Sequence, residues 1–169
     1  MVIDYYSIYV EVVYLQNGST CEIVKHLKTI FSRFGIPCIV ISDGGPPFSS
    51  NDLSLFFKEW NVTHDITSPY MPKSNGIGER GLGTVEDHTD PYLGLLNYQN
   101  TPKGKLKSPA ELLLSRTLRS KLPILSTKLK PKIVAFDEHM KRVHEYQTST
   151  KQYYDRNAKP LAPLNVGDK

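Results

Sequence analysis

VISDGGPPFSSNDLSLFFKEW, residues 40–60, contains the transition that decides the fold. The apolar run Ile39 to Ile41 stops at Ser42-Asp43, and Gly44, Gly45, Pro46 and Pro47 follow at once. An apolar run without alternation, bounded by turn residues, suits a central strand buried on both faces. After the turn, Ser50 or Asn51 can cap a helix that turns Leu53, Phe56, Phe57 and Trp60 inward. Strand, tight turn, helix is the grammar of an α/β domain. A carboxylate at the end of such a strand, Asp43, is placed where hard cations are commonly held.

Upstream, residues 2–6 and 8–15 are rich in Val, Ile and Tyr and read as two strands. Ser19 or Thr20 can cap a helix over CEIVKHLKTIFSRFG, with Ile23, Leu27, Ile30, Phe31 and Phe34 on one face and Gly35 and Pro37 ending it. Strand, helix and the run CIVIS then form a βαβ unit. Downstream, VTHDITS reads as a short strand and SPYMPKSNGIG as a loop. ERGLGTVED begins a helix, although Gly81 and Gly83 each cost it about 1 kcal/mol relative to Ala. PYLGLLNYQNT and SPAELLLSR read as two more helices. The expected organisation is a core over residues 1–116, a Lys/Pro/Leu linker over 117–133, a polar helix over 134–158, and over 159–169 the start of a further domain.

Composition narrows the class. A chain of 169 residues with 39% hydrophobic and 10% aromatic content is globular rather than disordered. No apolar run approaches the roughly 20 residues of a membrane span, and the N-terminus reads as a core strand rather than a leader. The expectation is a partner that is not a membrane, and a chain that starts in mid-domain. Two cysteines without a CxxC suit a reducing compartment. The five histidines show no zinc spacing, and His139 and His144 are expected on solvated helix faces.

Charge is unevenly distributed. Residues 1–100 carry 6 Lys and Arg against 11 Asp and Glu, a net of −5, and residues 101–169 carry 15 against 6, a net of +9. A basic final third fits a polyanion partner, with a solvated basic tail as the plainer alternative.

Asp43 and Glu79 are separated by thirty-five residues, an interval that holds one helix and one strand and can return the chain to face Asp43. Local patterns give that pair its meaning. SDGGPPFSS resembles the SDNGPQFSS pattern of retroviral and gypsy-like retrotransposon integrases, and SPYMPKSNGIGER resembles their SPYxPQSNGxxER. VIDYYSIYVEV resembles their preceding strand pair, DPYLGLLNYQNTP and SPAELLLSR the helices that follow, and YYDRNAKPLAPLNVGDK the approach to their C-terminal domain.

The resemblance implies a ribonuclease H-like mixed sheet flanked by helices, incomplete at the N-terminus, with a C-terminal helical extension. It implies polynucleotidyl transfer on DNA ends by an Asp-Asp-Glu triad holding Mg²⁺ or Mn²⁺, a nuclear location and homo-oligomers on DNA. Asp43 matches the second Asp and Glu79 the Glu, as catalytic and metal-binding residues. Tyr70, Lys73, Asn75 and Arg80 fall at positions near the bound DNA end, Lys73 where Gln is common. The first triad Asp has no match, since Asp4 lies one strand later in the pattern and reads as a turn or strand-end residue. Gly44 and Pro47 stand where Asn and Gln are usual, and about ten helical residues are lacking after TVED. The expectation is an integrase core that is catalytically defective as given, or a non-enzymatic nucleic-acid-binding or assembly module of the same ancestry.

Overall fold

A computed structural model of the chain describes residues 1–67, 90–104 and 106–156, apart from the side chain of Tyr154. It divides into two compact units, Met1–Gln99 and Asn100–Lys169. The loop expected at 68–78, the helix begun by ERGLGTVED and the final segment 159–169 lie outside the described residues.

In the first unit, β1 (Val2–Ile3) pairs antiparallel with β2 (Val10–Glu11). These strands are shorter than the expected 2–6 and 8–15 because Asp4 draws the chain into a turn. Its Oδ2 accepts from the Ser7 N–H at 2.8 Å and the Ser7 hydroxyl at 2.6 Å, and Ile8 takes φ 59. Asp4 is thus a hairpin anchor.

Helix α1 (Thr20–Phe34) is capped by Ser19, whose hydroxyl accepts from the Glu22 N–H. The Glu22 carboxylate in turn accepts from the N–H groups of Gln16, Asn17 and Gly18, which hold it below the usual carboxylate range. Ile23, Leu27, Ile30 and Phe31 are buried as the spacing requires, whereas Phe34 at the last turn is exposed. Gly35, at φ 93, ends the helix by donating to Phe31 O.

Strand β3 (Ile39–Ser42), helix α2 (Asn51–Glu59) and strand β4 (Thr63–Ile66) form a βαβ unit with β3 parallel to β4. The βαβ unit expected across α1 is therefore one unit further along, since β2 pairs with β1. Ser50 caps α2 by accepting from the Leu53 N–H, and Thr20 donates to the same hydroxyl, tying the starts of the two helices together. Leu53, Phe56 and Phe57 join the α1 residues and Val62 in one core, with Val40 and Trp60 packed against it. Phe31, Phe56 and Trp60 stack with ring centroids 5.4–6.1 Å apart.

The sheet contains both antiparallel and parallel pairing, as a ribonuclease H-like sheet requires, but among the described residues it lies in two two-stranded pieces. This corrects the reading of β3 as a strand buried on both faces. Val40 packs on the core, whereas Ile39 and Ile41 on the other face are 54% and 52% exposed. Helix α3 (Pro91–Asn100) is started by Asp90 Oδ1, which accepts from the N–H groups of Tyr92 and Leu93. Its buried Gln99 donates to Val10 O at 3.1 Å, fastening α3 to β2.

In the second unit, α4 (Pro109–Leu114) begins with a reciprocal cap. Ser108 Oγ accepts from the Glu111 N–H while the Glu111 carboxylate accepts from the Ser108 N–H. Asn100 clasps the backbone of Leu118 with both ends of its amide, at 2.8 and 2.9 Å. Residues 117–133, expected as a linker, include a 3-10 turn (Ser126–Leu129) and are held by backbone bonds from Thr117 N to Lys128 O and from Lys132 N to Ser115 O. Helix α5 (Phe136–Asp155) is the expected polar helix. His144 is exposed as expected, but His139 is only 1% exposed, which corrects its placement on a solvated face. His139 lies on the side of α5 that shares a cavity wall with Ser115–Thr117 and Thr127–Val134. No described helix is long and apolar enough to cross a membrane.

Candidate active site

Asp43 follows the last residue of β3 and is exposed. Its Oδ1 accepts from the Gly45 N–H at 3.2 Å, so the side chain closes the turn that the two glycines begin. Among the described residues this is the only protein contact of the carboxylate, and Oδ2 is free. The glycines have steric reasons to be there. A Cβ on Gly44 would meet Ile66 Cγ2 at 3.2 Å, and one on Gly45 would meet Asp43 Oδ1 at 3.4 Å.

The strand end beneath Asp43 is held by a polar cluster. Ser42 Oγ donates to Asp43 O and lies 2.9 Å from His64 Nε2. His64 stacks against the buried ring of Phe57, centroids 4.7 Å apart, which ties the cluster to the core. Burial lowers the imidazole pKa, with Asp65 opposing. A neutral imidazole with Nε2–H can donate to the Ser42 hydroxyl while that hydroxyl donates to Asp43 O. Across the strand end, Thr67 donates to Ser42 O through its N–H at 2.8 Å and its hydroxyl at 3.2 Å. Residue 67 is therefore pinned beside Asp43 where the chain enters the segment that contains Tyr70, Lys73, Asn75, Glu79 and Arg80.

Those five residues lie outside the described residues, so the structure places Asp43 alone among the sequence-derived candidates. Ser42, His64 and Thr67 were not singled out as a group from the sequence. Their meeting depends on the parallel register that sets Ser42 beside Ile66 and Val40 beside His64. A Ser directly before the strand-end Asp was the one available signal. Among the described residues no three His, Cys, Asp or Glu side chains cluster as a metal site. The donor chemistry of Asp43 does fit a hard cation, which takes carboxylate oxygens. Asp43 supplies one carboxylate toward it, with no partner for Oδ2 among the described residues.

The Integrase core domain family matches residues 1–72, which includes Asp43 and its cluster. An uncharacterised protein of Caenorhabditis elegans is 27% identical over 188 residues, covering 100% of this chain and 15% of that protein. The Gag-Pro-Pol polyprotein of human T-cell leukemia virus 2 is 29% identical over 100 residues, covering 59% of this chain and 7% of the polyprotein. The chain thus spans less than a fifth of either relative.

Among solved structures, a chain of the simian T-cell lymphotropic virus intasome in complex with a PP2A regulatory subunit aligns with TM-score 0.57 and 19% identity, covering 79% of this chain and 52% of that one. The HTLV-2 integrase catalytic core domain in complex with magnesium, in its trimeric form, aligns with TM-score 0.53 and 17% identity, covering 66% of this chain and 80% of that one. Likeness at these identities shows the fold: that of integrase catalytic cores.

Proposed function

We infer that this chain, which carries an integrase core domain of the ribonuclease H-like superfamily, has DNA as its partner and polynucleotidyl transfer as its ancestral reaction. The observation that carries this reading is Asp43: a strand-end carboxylate, fixed by its own turn and bonded through Oδ1 alone among the described residues, inside the matched segment. The HTLV-2 core is described in complex with magnesium, and Asp43 with Glu79 would hold Mg²⁺ or Mn²⁺ in this chain. Such an ion, when bound, supplies Lewis-acid stabilisation of charge on a phosphodiester. The chain's own part is positional. Gly45 N–H orients the carboxylate, and Ser42, His64 and Thr67 hold the strand end beneath it. Tyr70, Lys73, Asn75 and Arg80 are proposed to contact the DNA end.

These 169 residues supply two of the family's three carboxylates, so by themselves they are catalytically defective. Mg²⁺ demands near-octahedral oxygen coordination, which two carboxylates complete poorly. Incubation of the purified chain with DNA carrying element ends and Mn²⁺ should give no strand-transfer product. Metal-dependent product that disappears in Asp43→Asn would overturn the defect and leave the ancestry standing.

A second reading, a nucleic-acid-binding or assembly module without catalysis, is favoured by the net +9 of residues 101–169. Under it the chain binds DNA with steep salt dependence and makes no product. Oligomers on DNA belong to the same proposal, since solved structures of similar fold include an intasome and a trimeric core, and a nuclear location is proposed on the family resemblance alone. Size measurement with and without a DNA duplex tests the oligomer. Imaging of the tagged chain tests the location.

A further inference from the structure

The second unit contains a basic groove to which nothing above assigns a role. Two adjoining cavities, about 450 and 350 Å³, share Lys107, Glu111, Thr117, Lys128 and Arg142 in their walls and so form one elongated depression. Six basic residues are among those that line the smaller: Lys107, Arg116, Lys128, Lys130, Lys132 and Arg142. Two of them are answered within the protein. Arg142 pairs with Glu138 at 2.6 Å, and Lys107 approaches Glu111 at 3.9 Å. The other four, Arg116, Lys128, Lys130 and Lys132, are exposed and make no ion pair among the described residues.

Four unanswered cations along a concave wall concentrate positive potential, because the low-dielectric walls focus the field. They are held in place by backbone rather than by each other. Thr117 N donates to Lys128 O, Lys132 N donates to Ser115 O, and Asn100 clasps Leu118. Lys130 is extended, at φ −73 and ψ 137, which separates the Lys130 and Lys132 backbones by about 6 Å. That is the order of the spacing between neighbouring phosphates on a nucleic-acid strand. Among the described residues the two acids that line the groove, Glu111 and Glu138, are each paired with a basic side chain, and Ser115, Thr117 and Thr127 line the same wall.

We propose that this groove binds the sugar-phosphate backbone of DNA, with Arg116, Lys128, Lys130 and Lys132 each meeting a phosphate. The inference rests on the reading that DNA is the partner, and it assigns the contact to particular residues. The groove reads no bases, because phosphate contacts position a duplex without reporting its sequence.

The test is fluorescence anisotropy of a labelled 20-base-pair duplex across a salt series. Four neutralised phosphates give log K against log[salt] a slope of about −3.6. The triple variant Lys128→Glu, Lys130→Glu, Lys132→Glu should make the slope shallower than wild type by about 2.7. Reversal of Lys141 and Lys151, which lie on α5 outside the groove lining, should leave it near the wild-type value. The conservative Lys-to-Arg triple should keep affinity and slope, and far-UV circular dichroism melts confirm that each variant is folded.

Wild-type affinity and slope in the Glu triple would overturn the groove while leaving DNA binding intact. Equal loss in the α5 pair and the triple would overturn it as well, by showing diffuse attraction. Absence of salt-dependent binding by the wild type would remove the DNA partner itself. Inorganic phosphate should displace the duplex only weakly, and displacement at equal phosphate concentration would make the groove a free-phosphate site. Poly-glutamate competing as well as DNA at equal charge would replace the nucleic acid with an acidic polypeptide.

Discussion

Replacing Phe57 with alanine tests the link between the core and the Asp43 strand end. Phe57 is 2% exposed, packs beside Phe56 with centroids 5.3 Å apart, and carries the His64 ring on its other side. Burial of such a ring contributes about 1.5–3 kcal/mol through transfer alone. The cavity left beside Leu53 and Val62 raises the expected loss to about 3–5 kcal/mol. A domain of this size is stable by about 5–15 kcal/mol, so the loss is a large fraction of the total. Trp60 is the single tryptophan of the chain and touches Phe31 and Phe56, so its fluorescence reports unfolding of this core. With a urea m-value of about 1–3 kcal/mol/M, the midpoint should fall by about 1–5 M. Phe57→Leu keeps most of the volume and should cost less than about 1.5 kcal/mol. A fall of less than about 0.5 M for the alanine variant, at unchanged m, would refute the packing on which the strand-end cluster depends.

Three further outcomes follow. Asp43→Asn keeps an oxygen for the Gly45 N–H, so thermal stability should move by no more than about 0.5 kcal/mol, while Mn²⁺ binding measured by electron paramagnetic resonance weakens. Ser108→Ala removes the hydroxyl that accepts from the Glu111 N–H, leaving the Ser108 N–H bond to the Glu111 carboxylate, and should cost about 1 kcal/mol in a thermal melt, with an unchanged melt counting against the cap. His64 has a folded pKa below its unfolded value of about 6.5, so the unfolded chain takes up the proton first as pH falls. Stability contributed by His64 is present above that pH and is lost as pH falls from about 6.5 toward the folded pKa. His64→Gln should flatten that part of the urea-midpoint profile.

Periodicity made much of the first unit legible. The faces of α1 and α2, their serine caps and the Gly35 stop all depend on residues within four positions of one another, which a sequence displays directly. Pairing did not show in the same way. The exposure of Ile39 and Ile41 depends on which strands flank β3, and no local pattern reports that. The shortness of β1 and β2 came from one side-chain turn, Asp4 with Ser7, that competes with the ladder.

At the site, Asp43 and its turn were legible because Gly and Pro punctuate them. The Ser42–His64 contact was not, because it joins residues twenty-two positions apart through strand register. Residues 117–133 read as a linker by composition, yet Asn100 and the bond from Lys132 N to Ser115 O hold them to the unit. His139 misled for a related reason. The polarity of α5 does not report that His139 is only 1% exposed, beside a cavity wall that residues 115–117 and 127–134 share.

The split sheet has a consequence for the protein as a material. Among the described residues each strand is hydrogen-bonded on one side only, and β3 presents two isoleucines and no charge between Ile36 and Ser42. Open strand edges of this kind template pairing with another copy. The opposite net charges of the first 100 and last 69 residues, −5 and +9, draw copies together at low ionic strength. Concentrated stocks in dilute buffer should therefore turn cloudy before those in moderate salt, and the haze should bind amyloid dyes if edge pairing is its cause. Shelf life, rather than folding, is where the edges of β3 and β4 that have no partner among the described residues would first be noticed.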